Sequence, residues 1–297
     1  MEEKELLRRQ QLPLRIKIKL SQDMIRQFHE MLDGNVYISF SGGKDSTVLL
    51  HLVRQMYPEV PAVFVDTGLE YPEIREFVKT ISNVIWLKPK KSFYQVVKKY
   101  GYPIGTKAQA TYIRQVQTTK SSSFRSYRLH GKKGNYKVSV NDKWNFLVNA
   151  PFKTSERCCY ILKKNPVKIF ERETLRRPFM GTMAIDSISR KRLYLQSGCN
   201  SFEFGKEQST PLGFWTEKDV WDYIHQNRIP YCTLYDKGMD RTGCMFCLFG
   251  IDKEKTSRFL ILKELHPELH SYCMKNLGIE EVLEYLKIHG INVPIWE

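Results

Sequence analysis

The segment Ser41-Gly42-Gly43-Lys44-Asp45-Ser46 holds the residue types that bind a phosphate chain. Two adjacent glycines let a backbone turn tightly and bring its amides close to an anion. Ser41 and Ser46 add hydroxyl donors, and Lys44 adds a positive charge. A helix starting here would present unpaired N–H groups at the positive end of its dipole. The glycines are closer together than in a Walker A loop, so this is a different phosphate loop. The six residues form a candidate cradle for pyrophosphate or sulfate, with Lys44 and Asp45 as catalytic candidates. Asp66-Thr67-Gly68 follows a second apolar run, at the kind of strand end where open α/β sheets bind ligands. Asp66 is placed to touch a ribose or a magnesium–phosphate unit. Its plainer reading is an N-cap for a helix that begins near Tyr71.

Seven cysteines, an odd number, argue against a set of paired disulfides and for metal or redox chemistry in a reducing compartment. Cys158-Cys159 and Cys244-x-x-Cys247 supply the four thiolates that a [4Fe–4S] cluster needs. Structural zinc also takes four, but adjacent cysteines fit a zinc knuckle poorly. Zinc and free thiols remain the alternatives. Cys199, Cys232 and Cys273 are isolated and read as core residues.

An α/β alternation positions these groups. Residues 1–34 read as a helical lead-in, with Leu20, Met24, Phe28 and Met31 or Leu32 as its apolar stripe. Val36–Phe40, Ala62–Val65 and Val84–Leu87 read as strands. Between and after them Ser46–Tyr57, Tyr71–Ile81 and Ser92–Tyr100 suit helices. Phe179–Ala184 suits a further strand, and Glu217–Gln226 a helix capped by Thr216. This rhythm predicts a doubly wound, mostly parallel sheet with helices on both faces. The expected organisation is a nucleotide-binding domain over 35–250, with a basic insertion at about 119–145, and a helical C-terminal region over 251–297.

A net charge of +15 favours polyanionic partners, a nucleotide or a nucleic acid. The insertion carries Arg125, Arg128, Lys132, Lys133 and Lys137 as candidate nucleic-acid contacts. Phe124, Tyr127 and Tyr136 lie among them, able to stack on bases. The bland alternative is a solvated loop with aromatics packed beneath it. Ser121–Ser123, Gly131 and Gly134 suggest an exposed hairpin. No run reaches the roughly 18 apolar residues of a membrane span, and the polar start Met1–Glu5 does not read as a secretory signal, so a cytoplasmic location is expected.

Taken in order, these pieces resemble the phosphoadenylyl-sulfate reductase family of PP-loop proteins over roughly residues 35–250. The resemblance is carried by Ser41–Ser46, Asp66-Thr67-Gly68-Leu69-Glu70-Tyr71-Pro72-Glu73 and Arg157-Cys158-Cys159. It continues through Gly181–Arg190, Pro211–Trp221, Ile229-Pro230-Tyr231 and Gly243-Cys244-Met245-Phe246-Cys247. It implies an adenine nucleotide α-hydrolase-like fold with ATP or adenylyl sulfate at the loop, and Thr67, Gly68, Gly181 and Arg190 nearby. The cysteine pattern is similar to that of adenylyl-sulfate reductases, which carry a [4Fe–4S] cluster there. Two features depart from the reductases. The Glu-Cys-Gly-Leu-His-like tail is not found, and Cys273 sits in a predicted helix. Met183 stands where reductases have an arginine near the sulfonucleotide, with Arg190, Lys191 and Arg192 as possible replacements for its charge.

Three functions follow. The first is an ATP pyrophosphatase that adenylates a tRNA or DNA substrate so that sulfur, delivered by a donor such as a cysteine desulfurase, replaces an oxygen. The second is a sulfonucleotide reductase that releases sulfite and is resolved by thioredoxin. The third is a non-catalytic nucleotide-binding redox sensor.

Overall fold

The structure is a computed structural model in which residues 2–133, 136–254 and 257–293 are described. Its contacts divide the chain into two units interleaved along the sequence. One holds residues 2–66, 70–88 and 166–242, and the other holds 67–69, 89–165 and 243–293.

The first unit is built on a six-stranded sheet. Its order is Val84–Leu87, Ala62–Val65, Val36–Ser39, Arg177–Met180, Gln208–Ser209, Asn200–Ser201. Four of the five pairings are parallel, and only the edge strand Asn200–Ser201 runs antiparallel. The chain starts at a central strand, builds outward to one side, and then returns to build the other. That reversal falls at the C-terminal end of Val36–Ser39, the switch point where doubly wound sheets take their ligands.

Both faces of this sheet are covered, as the apolar strand sequences require. Tyr37, Val63, Ile85 and Leu87 share one face and pack on Val167 and Phe170 of the helix Asn165–Thr174. Phe179 lies on the opposite face, its ring 5.1 Å from that of Phe28 in the helix Leu14–Met31. The expected lead-in is two helices, Glu3–Gln10 and Leu14–Met31. The buried stripe of the second is not the one its apolar residues suggest. Lys17, Ser21, Ile25 and Phe28 are buried, while Met31 is exposed. Polar partners explain the shift. Ser21 donates to Pro211 O and accepts from Trp215 Nε1, and Lys17 Nζ lies 2.6 Å from both Gln10 O and Asp219 Oδ2. Asp219 in turn closes a capping box with Thr216 at the start of Glu217–Gln226.

The second unit is mostly helical. A short parallel pair, Ile104–Gly105 with Leu248–Phe249, joins its middle to its C-terminal part. Tyr102 Oη donates to Leu277 O at 2.8 Å. The helices Arg258–Leu265, Pro267–Asn276 and Ile279–Ile288 bury Phe259, Leu262, Val282, Leu283 and Leu286. The basic stretch is more ordered than a loose hairpin. It contains the helix Ser122–His130 and a short antiparallel pair, Lys132–Lys133 with Tyr136–Lys137; the turn at Gly134 lies outside the described residues. Two glutamines of the helix Lys107–Thr118 fasten the surrounding chain. Gln109 bonds Ser139 O and Asn141 N, and Gln117 bonds Leu147 O, Phe152 O and Thr154 N. Among the described residues no helix is long and apolar enough to cross a membrane.

Candidate functional site

The strand Val36–Ser39 runs into the glycine loop, and the helix Lys44–Met56 leaves it. Gly42 has φ +73°, and a Cβ there would stand 2.9 Å from Ile74 Cγ2, so only glycine fits this turn. The loop folds back on its own hydroxyls. Ser46 Oγ donates to Gly43 O at 2.8 Å, accepts from Ser41 N at 3.2 Å and lies 3.1 Å from Ser41 Oγ. Gly43 N points to Ser41 Oγ at 3.4 Å, a long contact that leaves the amide able to serve a stronger acceptor.

Lys44 is buried at the mouth of this cradle. Its ammonium lies 3.3 Å from Glu217 Oε1 and 3.5 Å from Asp45 Oδ1. Burial pushes its pKa down, but the carboxylates of Asp45 and Glu217 outweigh this and hold it above the ordinary lysine value. It is therefore a fixed cation. Burial raises the Asp45 carboxyl despite the neighbouring ammonium, and Oδ1 is buried without a hydrogen bond. A buried carboxylate oxygen beside a phosphate cradle, held only by a long ion pair of 3.5 Å to Lys44, suits a magnesium ion that arrives with nucleotide phosphates.

The residue that covers the cradle was not legible in the sequence. Lys44 N donates to Tyr235 Oη at 2.9 Å. A Cβ on Gly43 would stand 2.8 Å from Thr242 Oγ1 and 3.2 Å from Tyr235 Oη. Trp221 holds the tyrosine edge-on, with ring centroids 5.4 Å apart. Burial raises the Tyr235 pKa, so its hydroxyl keeps its proton. This hydroxyl takes the amide that a bound phosphate would use. The one sequence signal was a tyrosine between Ile229-Pro230-Tyr231 and Gly243-Cys244.

The other expected nucleotide residues are placed as follows. Asp66 is buried, and its Oδ2 accepts from Arg75 Nη2 at 3.0 Å. It does not cap the next helix; Tyr71 occupies that position, without a side-chain cap. Thr67 and Gly68 belong to the second unit, where Thr67 Oγ1 accepts from Leu69 N and Gly68 has φ +75°. Gly181 is required by contact, since a Cβ there would meet Asp45 O at 2.9 Å and Ser46 N at 3.1 Å. Met183 is buried, 2% exposed. Arg190 does not take up the missing arginine's charge freely, because its guanidinium is bound to Asp186. Lys191 pairs with Glu3.

All four clustered cysteines lie in the second unit and line one apolar cavity with Leu69, Phe93, Leu162 and Lys163. Cys158 and Cys159 sit on the helical turn Arg157–Cys159, which passes into a π-helical turn over Tyr160–Lys164, a distortion common at functional sites. The bond from Cys158, helped by Lys107, Lys163 and Lys164 against the cost of burial, lowers the Cys159 thiol to about 6. The Cys158 thiol is pushed up by the same bond and by burial. Burial raises Cys247 to about 11, while Phe249 N points at its Sγ from 3.5 Å. Among the described residues no three His, Cys, Asp or Glu side chains are grouped to hold a single ion. Cys199, Cys232 and Cys273 are buried singly, and burial raises the Cys273 thiol strongly.

In the basic stretch, Arg125 Nη1 donates to Val116 O at 2.7 Å and Arg128 Nη1 to Val138 O at 2.8 Å. These two arginines hold their own chain together. Lys132 and Lys137 are exposed, and Lys137 lies 3.5 Å from Asp142 Oδ1. The side chains of Lys133 and Tyr136 lie outside the described residues.

A parallel sheet with this glycine loop at its reversal point defines a PP-loop protein of adenine nucleotide α-hydrolase-like fold. The profile of the phosphoadenosine phosphosulfate reductase domain matches residues 35–122 and 107–248, and the chain belongs to that family. An uncharacterized protein of Methanocaldococcus jannaschii is 27% identical over 275 residues, which are 89% of this chain and 54% of that protein. For a second protein of the same organism, also 27% identical, the match is 75% of this chain and 38% of the relative. The chain thus spans about half or less of these relatives. An adenosine 5'-phosphosulfate reductase of a Geobacillus species is 28% identical over 225 residues, 74% of this chain and 75% of that enzyme. The crystal structure of a phosphoadenylyl-sulfate reductase from Candida auris aligns with a TM-score of 0.47 and 18% identity, over 75% of this chain and 87% of that one.

Proposed function

We propose that the chain is an ATP pyrophosphatase that adenylates a nucleic-acid substrate for sulfur transfer. The observation that carries this reading over sulfonucleotide reduction is the pair Met183 and Arg190. A buried methionine stands where the resemblance to the reductases implies an arginine, and of the candidate replacements Arg190 is bound to Asp186 and Lys191 to Glu3. The phosphate loop itself is intact. ATP offers it a pyrophosphate, whereas adenylyl sulfate needs a cation at its sulfate.

In this reading the substrate oxygen attacks the α-phosphorus of ATP, and the bond to the β-phosphate oxygen breaks. The pyrophosphate that leaves gains charge, and the Gly43 and Lys44 amides with the Lys44 ammonium stabilise that charge where it develops. Asp45 would hold a magnesium ion that arrives with the phosphates and offsets their charge. The terminal sulfur of a donor persulfide, such as that of a cysteine desulfurase, then displaces AMP from the activated carbon or phosphorus, and a thiol cleaves the remaining S–S bond, itself oxidised to a disulfide.

Cys158, Cys159, Cys244 and Cys247 would hold a [4Fe–4S] cluster, which supplies a place to bind sulfur during its transfer. The donor set fits this group: four thiols on apolar walls with lysines close by. A single zinc draws all its sulfurs to about 2.3 Å, whereas a cubane spreads them over the corners of a larger body.

A second reading, reduction of an adenylyl sulfate with thioredoxin as partner, is favoured by the named Geobacillus relative. Cys273 does not serve as its nucleophile, because the thiol is buried and its pKa is raised.

Exchange of labelled pyrophosphate into ATP tests the first reading. The wild-type chain is expected to catalyse exchange when its nucleic acid is present. Lys44→Ala is expected to weaken ATP binding at least tenfold, since it removes a charge-assisted contact of about 1.5–3 kcal/mol. Unchanged ATP affinity in a folded Lys44→Ala protein removes the loop from the site.

A further inference from the structure

The charge excess of the chain lies in one stretch. Residues 89–165 hold 17 Lys and Arg against two Asp and Glu, a net of +15 that equals the net charge of all 297 residues. The stretch belongs to the second unit. So many like charges in one stretch repel one another, and a polyanion held against them recovers that cost.

The helix Ser122–His130 gives this charge a shape. It has no buried residue, so it contributes little to a core. The Arg128 guanidinium lies over three rings, 4.7 Å from the centroid of Tyr112, 5.2 Å from Tyr127 and 5.3 Å from Phe124. Arg125 and Arg128 both donate to backbone carbonyls and are spent inward, and Arg128 fixes the rings in place. The aromatic surface is what remains outward: Phe124 is 36% exposed and Tyr127 41%. Exposed rings fixed by cations, among lysines and almost without carboxylates, suit flat bases joined by phosphates. Bases inside a duplex hide their faces in the stack, so such rings serve unpaired nucleotides.

The helix Lys107–Thr118 sets the scale. Arg114 Nη2 donates to Glu156 Oε1 at 2.9 Å, two residues before Cys158, and Tyr112 of the same helix lies under Arg128, about 3 Å away along the axis. Lys163 lines the cysteine cavity. The rings and the cysteines are thus linked through one helix of one unit.

We propose that the second unit binds an unpaired stretch of nucleic acid, with a base stacked on Phe124 and Tyr127 and the strand running over lysines toward the cysteine cavity. This deepens the adenylation reading and takes its chemical meaning from it. The exposed lysines beside the helix, Lys120, Lys132 and Lys137, contact phosphates.

The test is fluorescence anisotropy on the full chain, purified without oxygen. The probes are a short single-stranded RNA, the same sequence as DNA, the matching duplexes, and vesicles containing phosphatidylserine, each over a range of salt. The wild-type chain should bind a single strand more tightly than its duplex. Phe124→Ala with Tyr127→Ala should cost roughly tenfold or more in single-strand affinity, at an unchanged salt slope. Lys120→Ala with Lys132→Ala and Lys137→Ala should flatten the slope of log affinity against log salt by about 2, at roughly 0.7 per phosphate contact. Both variants should keep wild-type ATP affinity, which shows that they fold. Equal binding of duplex and single strand with no effect of the ring variant overturns the proposal. So does binding to vesicles alone. If the strand binds as expected but no pyrophosphate release follows, the surface stands and the adenylation reading falls. If nucleic-acid-stimulated pyrophosphate release survives both variants unchanged, the adenylation reading stands and this surface falls.

Discussion

Tyr235→Phe probes the cover of the phosphate loop. The substitution keeps the ring against Trp221 and removes only the hydroxyl that accepts from Lys44 N at 2.9 Å. An anion entering the cradle needs that amide, so it must first break this bond. A neutral hydrogen bond contributes a net of about 0.5–1.5 kcal/mol, and losing it from the free protein should tighten anion binding by roughly two- to tenfold. Pyrophosphate is the probe of choice because it reports on the loop without the adenine pocket. Calorimetric titration of wild type and Tyr235→Phe should show the tighter affinity in the variant, with a slightly lower melting temperature as the amide loses its partner. A tenfold weaker affinity would refute the reasoning: the hydroxyl would then be a ligand of the anion and not its competitor. Equal affinities would place Tyr235 off the anion's path.

Two other perturbations have outcomes fixed by the structure. Lys17→Met leaves Asp219 without its buried cation and should lower stability by about 3–5 kcal/mol, read as a fall in the denaturant midpoint; an unchanged midpoint would mean that the capping box alone satisfies Asp219. Protein purified without oxygen should be brown, with iron and sulfide near four each per chain, and replacing Cys158, Cys159, Cys244 or Cys247 by Ala should abolish the colour. Stoichiometric zinc without sulfide would reject the cluster.

What the sequence made legible was local. The β-rich run before Ser41, the two glycines and the helix after them follow from neighbouring residues. So do the parallel sheet and the capped helix at Thr216. What it hid depends on contacts between distant positions. Tyr235 lies 191 residues from the amide it covers. The lead-in helix buries Lys17 and Ser21 because Asp219, Pro211 and Trp215 wait for them, and periodicity of apolar residues cannot register such partners. Arg125 and Arg128 read as outward charges, yet both donate to backbone carbonyls nearby. Asp66 read as a ribose or magnesium–phosphate contact, with a helix cap as its plainer reading, yet its Oδ2 accepts from Arg75, one turn into the helix.

The most direct measurement of the central claim sets two substrates side by side. Protein purified without oxygen is given ATP, adenylyl sulfate or the 3'-phosphate form of adenylyl sulfate, with and without bulk tRNA or DNA, and both pyrophosphate and sulfite are assayed. The account predicts pyrophosphate from ATP, stimulated by one nucleic acid, and no sulfite under any condition. Sulfite released from a sulfonucleotide without nucleic acid would contradict it and make the chain a reductase.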